Sequence, residues 1–136
     1  MIGVVVFTHA QMGTALLDAV RMIIGPVAGA AAVAVRREAG VEELRQELAA
    51  ALAEVGAAAH GAIIMTDMFG GSPANISTAF LEPGRIEVLT GVNLPMLLKF
   101  FSSRGNFPVP VLAANLRDHG RQGVVLASDL LPHGQA

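Results

Sequence analysis

The chain is expected to fold as a single doubly wound α/β domain around a mainly parallel sheet. Short β-branched apolar runs alternate with longer segments of helical periodicity. The short runs are apolar at every position rather than every second one, as in strands covered on both faces. The connections are short, with no linker, repeat or low-complexity tract, and parallel strands joined by right-handed helical crossovers satisfy that pattern.

The elements follow in order. Val4 to Phe7 reads as the first buried strand. From about Gly13, Leu16, Leu17, Val20, Ile23 and Ile24 fall at helical spacing until Gly25-Pro26 stops them. Ala31 to Val35 is the second strand. Val41 to Val55 is a helix with Leu44, Leu48, Leu52 and Val55 on one face and most of its charges elsewhere. Ala62 to Met65 is the third strand, and Pro73 to Leu81 a helix closed by Pro83-Gly84. Ile86 to Leu89 is the fourth strand, followed by helices over Leu94–Phe101 and Val109–His119. Val124 to Ala127 reads as a last strand, and residues 132–136 as a frayed tail beyond a domain of residues 1–131.

Bulk properties narrow the function. At 136 residues the chain is one domain in size and can bury a core. It is 53% hydrophobic, yet no stretch approaches the roughly 20 apolar residues of a membrane span. The nearest, Ile23 to Val35, is interrupted by Gly25, Pro26 and Gly29. No basic region precedes the apolar start at Ile2, so no signal peptide and a cytoplasmic location are expected. Without cysteine there are no disulfides, thiolate nucleophiles or zinc–thiolate sites. A net charge of −2 and the absence of Tyr and Trp argue against nucleic-acid binding. The apolar surplus points to further surface buried in an oligomer.

Two strand ends carry the chemistry. His9 follows the first strand, and Asp67 follows the third, ahead of Gly70-Gly71-Ser72-Pro73. With strand order 2-1-3-4 the first and third strands are neighbours, and the crevice at their carboxyl ends is where such sheets bind ligands. A carboxylate accepting the Nδ1 proton of His9 would present Nε2 as a nucleophile and stabilise the charge that develops on the ring. Phosphoryl transfer then needs positioning and an anion cradle. Pro73 suits a first helical turn and Ser72 its N-cap, while the free amides of that turn favour a phosphoryl group. Gly70 and Gly71 allow close backbone approach, and the Thr8 and Ser72 hydroxyls are candidate donors to phosphoryl oxygens. Asn93 and Pro95 make a comparable helix start beside the crevice. Taken singly, each feature has an ordinary reading as a turn, cap or surface residue; their joint placement makes the case. No metal and no cofactor are called for, since nothing shows ligand spacing to His9.

These motifs resemble the IIA domain of the mannose-family sugar phosphotransferase system, over nearly the whole chain. The matching segments are Val5-Val6-Phe7-Thr8-His9, Thr66 through Asn75, and Gly91-Val92-Asn93-Leu94-Pro95-Met96-Leu97; Gly120 through Val124 is similar to the family's last helix-to-strand junction. The resemblance implies that His9 accepts a phosphoryl group from the histidine phosphocarrier protein and passes it to a IIB component. It implies that Asp67 orients the imidazole and that Ser72 lies in the phosphoryl-binding loop. It further implies a homodimer in which a C-terminal strand, here Val124 to Ala127, adds antiparallel to the partner's sheet, with contact to a membrane only through a permease complex. The family commonly carries Gly after its histidine, where this chain has Ala10. The chain ends soon after the last strand, so no fused IIB domain is expected. Two other roles share these features: a phosphorylation-state sensor of an incomplete phosphotransferase system, and the phosphodonor subunit of a dihydroxyacetone kinase. A receiver-like module fits poorly, because Thr8-His9 stands where a receiver needs acidic residues.

Overall fold

The computed structural model describes residues 1–132. The elements are β1 (Gly3–His9), α1 (Met12–Ile24), β2 (Ala30–Val35), α2 (Val41–Glu54), α3 (Ala57–His60), β3 (Ala62–Thr66), α4 (Ser72–Thr78), β4 (Ile86–Thr90), α5 (Leu94–Ser103) and α6 (Val109–Gln122). A 3₁₀ turn, Ala127–Leu130, follows. The four strands form one parallel sheet in the order β2-β1-β3-β4. The chain first winds outward from β1 to β2, then crosses back to lay β3 on the other side of β1. The strand order therefore reverses between β1 and β3.

The uninterrupted apolar runs of β1 and β3 are fully buried because helices cover both faces. Alternation along each strand divides their side chains between two cores. Val4, Val6, Ile63 and Met65 pack with α1, α5 and α6, including Leu17, Phe100, Leu112 and Leu116. Val5, Phe7, Ala62 and Ile64 pack with Leu44, Leu48 and Leu52 of α2 and Ile76 of α4. The edge strands β2 and β4 are half-buried. Among the described residues, no helix is long and apolar enough to cross a membrane.

The differences from the sequence reading are local. The short α3 was not anticipated; Gly56 in a left-handed conformation separates it from α2, and its tripeptide of alanines carries no periodic signal. α4 ends at Thr78 rather than Leu81, because the next amides bond three residues back (Ala79 to the Ile76 carbonyl, Phe80 to that of Ser77) and tighten the chain out of the α-helix. α6 runs on to Gln122. The expected last strand, Val124 to Ala127, is corrected for the single chain. Val124–Leu126 join no sheet, Ala127 begins the 3₁₀ turn, and all these side chains are exposed. A strand needs a neighbouring ladder, and the protomer brings none of its own to this segment. Of the expected tail at 132–136, residues 133–136 lie outside the described residues.

One glycine is demanded by the packing of β3. Gly61 has φ +78° and ψ 170°, a region closed to other residues, and a Cβ there would sit 2.7 Å from the Arg85 carbonyl oxygen. Gly61→Ala is expected to destabilise the fold by at least ~2 kcal/mol, read as a lowered urea midpoint with an unchanged slope.

Candidate functional site

β1 and β3 end side by side at the reversal point, and each delivers one polar group there. His9 is the last residue of β1; Asp67 immediately follows β3. Asp67 Oδ2 accepts two hydrogen bonds from the same residue: the backbone N–H of His9 at 2.9 Å and its ring Nδ1 at 2.8 Å. Oδ1 accepts the Met68 amide at 3.0 Å. A carboxylate can only accept, so in the neutral imidazole Nδ1 carries the proton and Nε2 presents its lone pair. The Asp67 side chain is 11% exposed and that of His9 49% exposed, so the carboxylate is shielded while the imidazole faces solvent. Burial by itself would raise the Asp67 pKa. The bonds from the His9 amide and ring, the charge of that ring, and a backbone bond at Asp67 outweigh it and hold the carboxyl below its ordinary value.

The turn from β1 into α1 takes only Ala10 and Gln11. Ala10 adopts φ +50°, the left-handed region that glycine enters freely and alanine does not, and its amide bonds the Val35 carbonyl at 3.0 Å. Alanine at this position therefore leaves the turn in place but strained. Thr8 does not reach the crevice: it is fully buried, and its Oγ1 accepts the Gly13 amide at 2.8 Å, tying the start of α1 to β1.

The glycine loop lies against the imidazole. A Cβ on Gly71 would stand 3.1 Å from His9 Cε1, so a side chain there would displace the ring. Gly70 has φ +86° and open space around it. The sequence reading made Ser72 the N-cap of α4; instead Gly71 occupies that position and Ser72 is the first helical residue, exposed, with Pro73 next. Asn93 starts α5, as expected. Its Oδ1 accepts the Met96 amide, capping α5, and its Nδ2 donates to the Gly120 carbonyl, joining α5 to α6. Arg36, just after β2, is held by Glu43 and Glu47 of α2.

The site is open. A groove of about 430 Å³ runs along β4, lined by residues such as Leu89, Asn93, Met96, Arg117 and Val124, and His9 is not part of it. Two features escaped the sequence reading, the second Asp67 bond to the His9 backbone and the strain at Ala10. The first depends on tertiary approach; the second depends on how tightly the turn between β1 and α1 closes.

Fold and site together define a doubly wound α/β protein that presents a carboxylate-oriented histidine at an exposed strand end. The family described as "PTS system fructose IIA component" (EIIA-man) matches residues 3–115. The fructose-specific EIIA component of Bacillus subtilis is 30% identical over 132 residues, covering 96% of this chain and 90% of that protein. The sorbose-specific EIIA component of Lacticaseibacillus casei is 31% identical over 114 residues, covering 83% of this chain and 81% of that protein. Among solved structures, the mannose/sorbose-specific IIA subunit from Enterococcus faecalis superposes with TM-score 0.81 at 29% identity, covering 92% of this chain and 93% of that one. A phosphotransferase system EIIA from Streptococcus agalactiae, with TM-score 0.85 and 24% identity over 95% of this chain and 99% of that one, shares the fold. The chain belongs to the EIIA family of the sugar phosphotransferase system, a phosphotransfer component of the mannose-type branch.

Two outcomes follow from the geometry. Ala10→Gly is expected to stabilise the protein by about 0.5–1 kcal/mol through release of the left-handed strain, measured by chemical denaturation. Because the Asp67 pKa is depressed on folding, its stabilisation is present above the unfolded carboxyl value of about 3.9 and is lost as pH falls through that value and then the folded one. The stability gap between wild type and Asp67→Asn should accordingly be widest near neutral pH and close below about pH 4 in a series of urea titrations.

Proposed function

We propose that the protein is a phosphocarrier: His9 accepts a phosphoryl group from the histidine phosphocarrier protein of a phosphoenolpyruvate-dependent sugar phosphotransferase system and passes it to a IIB component. The 2.8 Å bond between His9 Nδ1 and Asp67 Oδ2, which leaves Nε2 bare at an open surface, carries this reading. An exposed nucleophile without an enclosing pocket suits a donor and acceptor that are themselves proteins. The names of the related proteins, fructose-specific and sorbose-specific EIIA components, support a sugar system over a dihydroxyacetone kinase.

The reaction would use the site as follows. Nε2 attacks the phosphorus in line with the departing donor nitrogen, and the proton on Nδ1 remains shared with Asp67. The carboxylate offsets the positive charge that spreads over the ring. Gly71 lines the ring, Gly70 leaves room beside it, and the exposed Ser72 hydroxyl is available to a phosphoryl oxygen. Thr8 contributes by fixing the β1–α1 turn rather than by touching the phosphoryl group. The protein works in the cytoplasm on this reading, as a homodimer joined through residues 124–127; the exposure of Val124, Val125 and Leu126 in a single chain supports that pairing.

Labelled phosphoenolpyruvate, its kinase and the phosphocarrier protein should transfer acid-labile label to the wild type and none to His9→Ala. Label retained in that variant defeats the assignment. Asp67→Ala keeps the nucleophile but loses its orientation, so transfer should slow by ~10–100-fold; an undiminished rate would dissociate Asp67 from the chemistry.

A further inference from the structure

We propose that Arg36, clamped by Glu47, closes the open edge of β2 to a second copy of this chain, which would otherwise pair with it strand to strand. The sheet has two edges, and β2 is bonded only on its β1 side. The direction of its backbone groups follows from two bonds. Gly29 and Val35 give their carbonyls to the Val4 and Ala10 amides, so the odd-numbered residues of this stretch face β1. In a parallel ladder the N–H and C=O of one residue point the same way, and those of the next point the other. Ala30, Ala32 and Ala34 therefore turn their amides and carbonyls outward.

An exposed row of this kind is a template for another strand. β2 carries nothing of its own against that, since its sequence, Ala-Ala-Ala-Val-Ala-Val, has neither a charge nor a proline. A groove of about 400 Å³ runs beside it, from Gln11 and Thr14 past Ala32 and Ala34 to Glu47 and Glu54. The space and the hydrogen-bonding groups for one more strand are both there.

The protection comes from arginines at the two ends of the row. Arg36 Nη1 donates to the outward Ala34 carbonyl at 3.1 Å and to Glu47 Oε1 at 3.0 Å. Its Nη2 donates to Glu47 Oε2 at 2.9 Å and to Glu43 Oε1 at 3.2 Å. The two-pronged pairing with Glu47 fixes the direction of the guanidinium as well as its place, so α2 holds it across the end of β2. At the opposite end Arg104 Nη1 donates to the Ala28 carbonyl at 2.7 Å, two residues ahead of β2. The rings of Phe100 and Phe101, with centroids 5.6 and 5.0 Å from its guanidinium carbon, steady that side chain. Between the caps the intact outward row shrinks to Ala30 and Ala32, too short to hold an added strand.

The occupant this edge would take is a like strand. The β2 of a second copy is equally apolar and uncharged, and two identical edges paired about a two-fold axis satisfy each other at once. Such pairing requires both copies to withdraw Arg36 from Ala34 and Glu47. It is separate from the contact proposed for residues 124–127, because Val124 lies on the β4 side of the sheet.

Sedimentation velocity on the full chain over a wide concentration range tests the proposal. Arg36→Ala should raise the weight-average mass at high protein concentration by about twofold over wild type, one added pairing per chain. Exposed ion pairs contribute little to stability, so its urea midpoint should stay close to the wild-type one. In hydrogen exchange, the Ala32 and Ala34 amides should be unprotected in the wild type and become protected as the variant associates. A folded Arg36→Ala that keeps the wild-type mass overturns the proposal, as does association that leaves those two amides unprotected. Should Arg36→Ala fail to fold, Glu47→Gln decides, since it unpins the guanidinium and leaves the arginine in place. The same rise in mass supports the proposal, and a wild-type mass in that variant overturns it.

Discussion

One carboxylate oxygen, Asp67 Oδ2, takes hydrogen bonds from both the main chain and the ring of His9, and the geometry of the site depends on that double attachment. A bond to the ring alone would choose the tautomer but leave the residue's backbone free to shift. The added bond to the amide fixes the end of β1 against the start of the loop after β3, so ring and frame move together. The other oxygen holds the Met68 amide and sets the direction in which that loop leaves the sheet. Asp67 supports this only as an anion. Burial opposes the charge, and the bonds from His9 more than compensate, which keeps the group ionised through the neutral range.

The double attachment in turn depends on the strand order. β1 and β3 are adjacent because the chain reverses its direction of winding between them, and their fully apolar cores hold them in register from Gly3 paired with Ala62 to Phe7 paired with Thr66. β1 runs two residues further, paired there only with β2, so His9 stands beyond the end of β3. The turn beyond it is compressed into Ala10 and Gln11, with Ala10 in a left-handed conformation and Thr8 pinned to Gly13 below. An imidazole at the end of a strand closed by so short a turn is left uncovered, with its side chain 49% exposed.

The fold was legible in the sequence wherever burial set the pattern. Val4 to Phe7 and Ala62 to Met65 are apolar at every position because both their faces are covered, and that signal needs no tertiary information. The same holds for the apolar face of α2. Where burial is incomplete the reading slipped. The polyalanine α3 has no periodicity to detect, and Val124 to Ala127 has strand-forming residues but no ladder within one chain. Of the candidate site, His9, Asp67 and the glycines were visible as residues placed at strand ends. Thr8 was misplaced, since only the structure shows its hydroxyl facing α1, and Ser72 proved to be one residue inside its helix.

The sequence by itself determined the alternation of strands and helices, the residues that form the core, and the kinds of chemical group available at the strand ends. Those follow from hydrophobic periodicity and local backbone preference, which act over a few residues. The tertiary structure alone decided that one oxygen of Asp67 accepts both bonds from His9, 58 positions away, that Ala10 bears strain, and that Met68 and Phe69 are exposed on the loop after Asp67. Each of these is a matter of distance and direction between segments, and a chain acquires those only when strands pair and helices close over them.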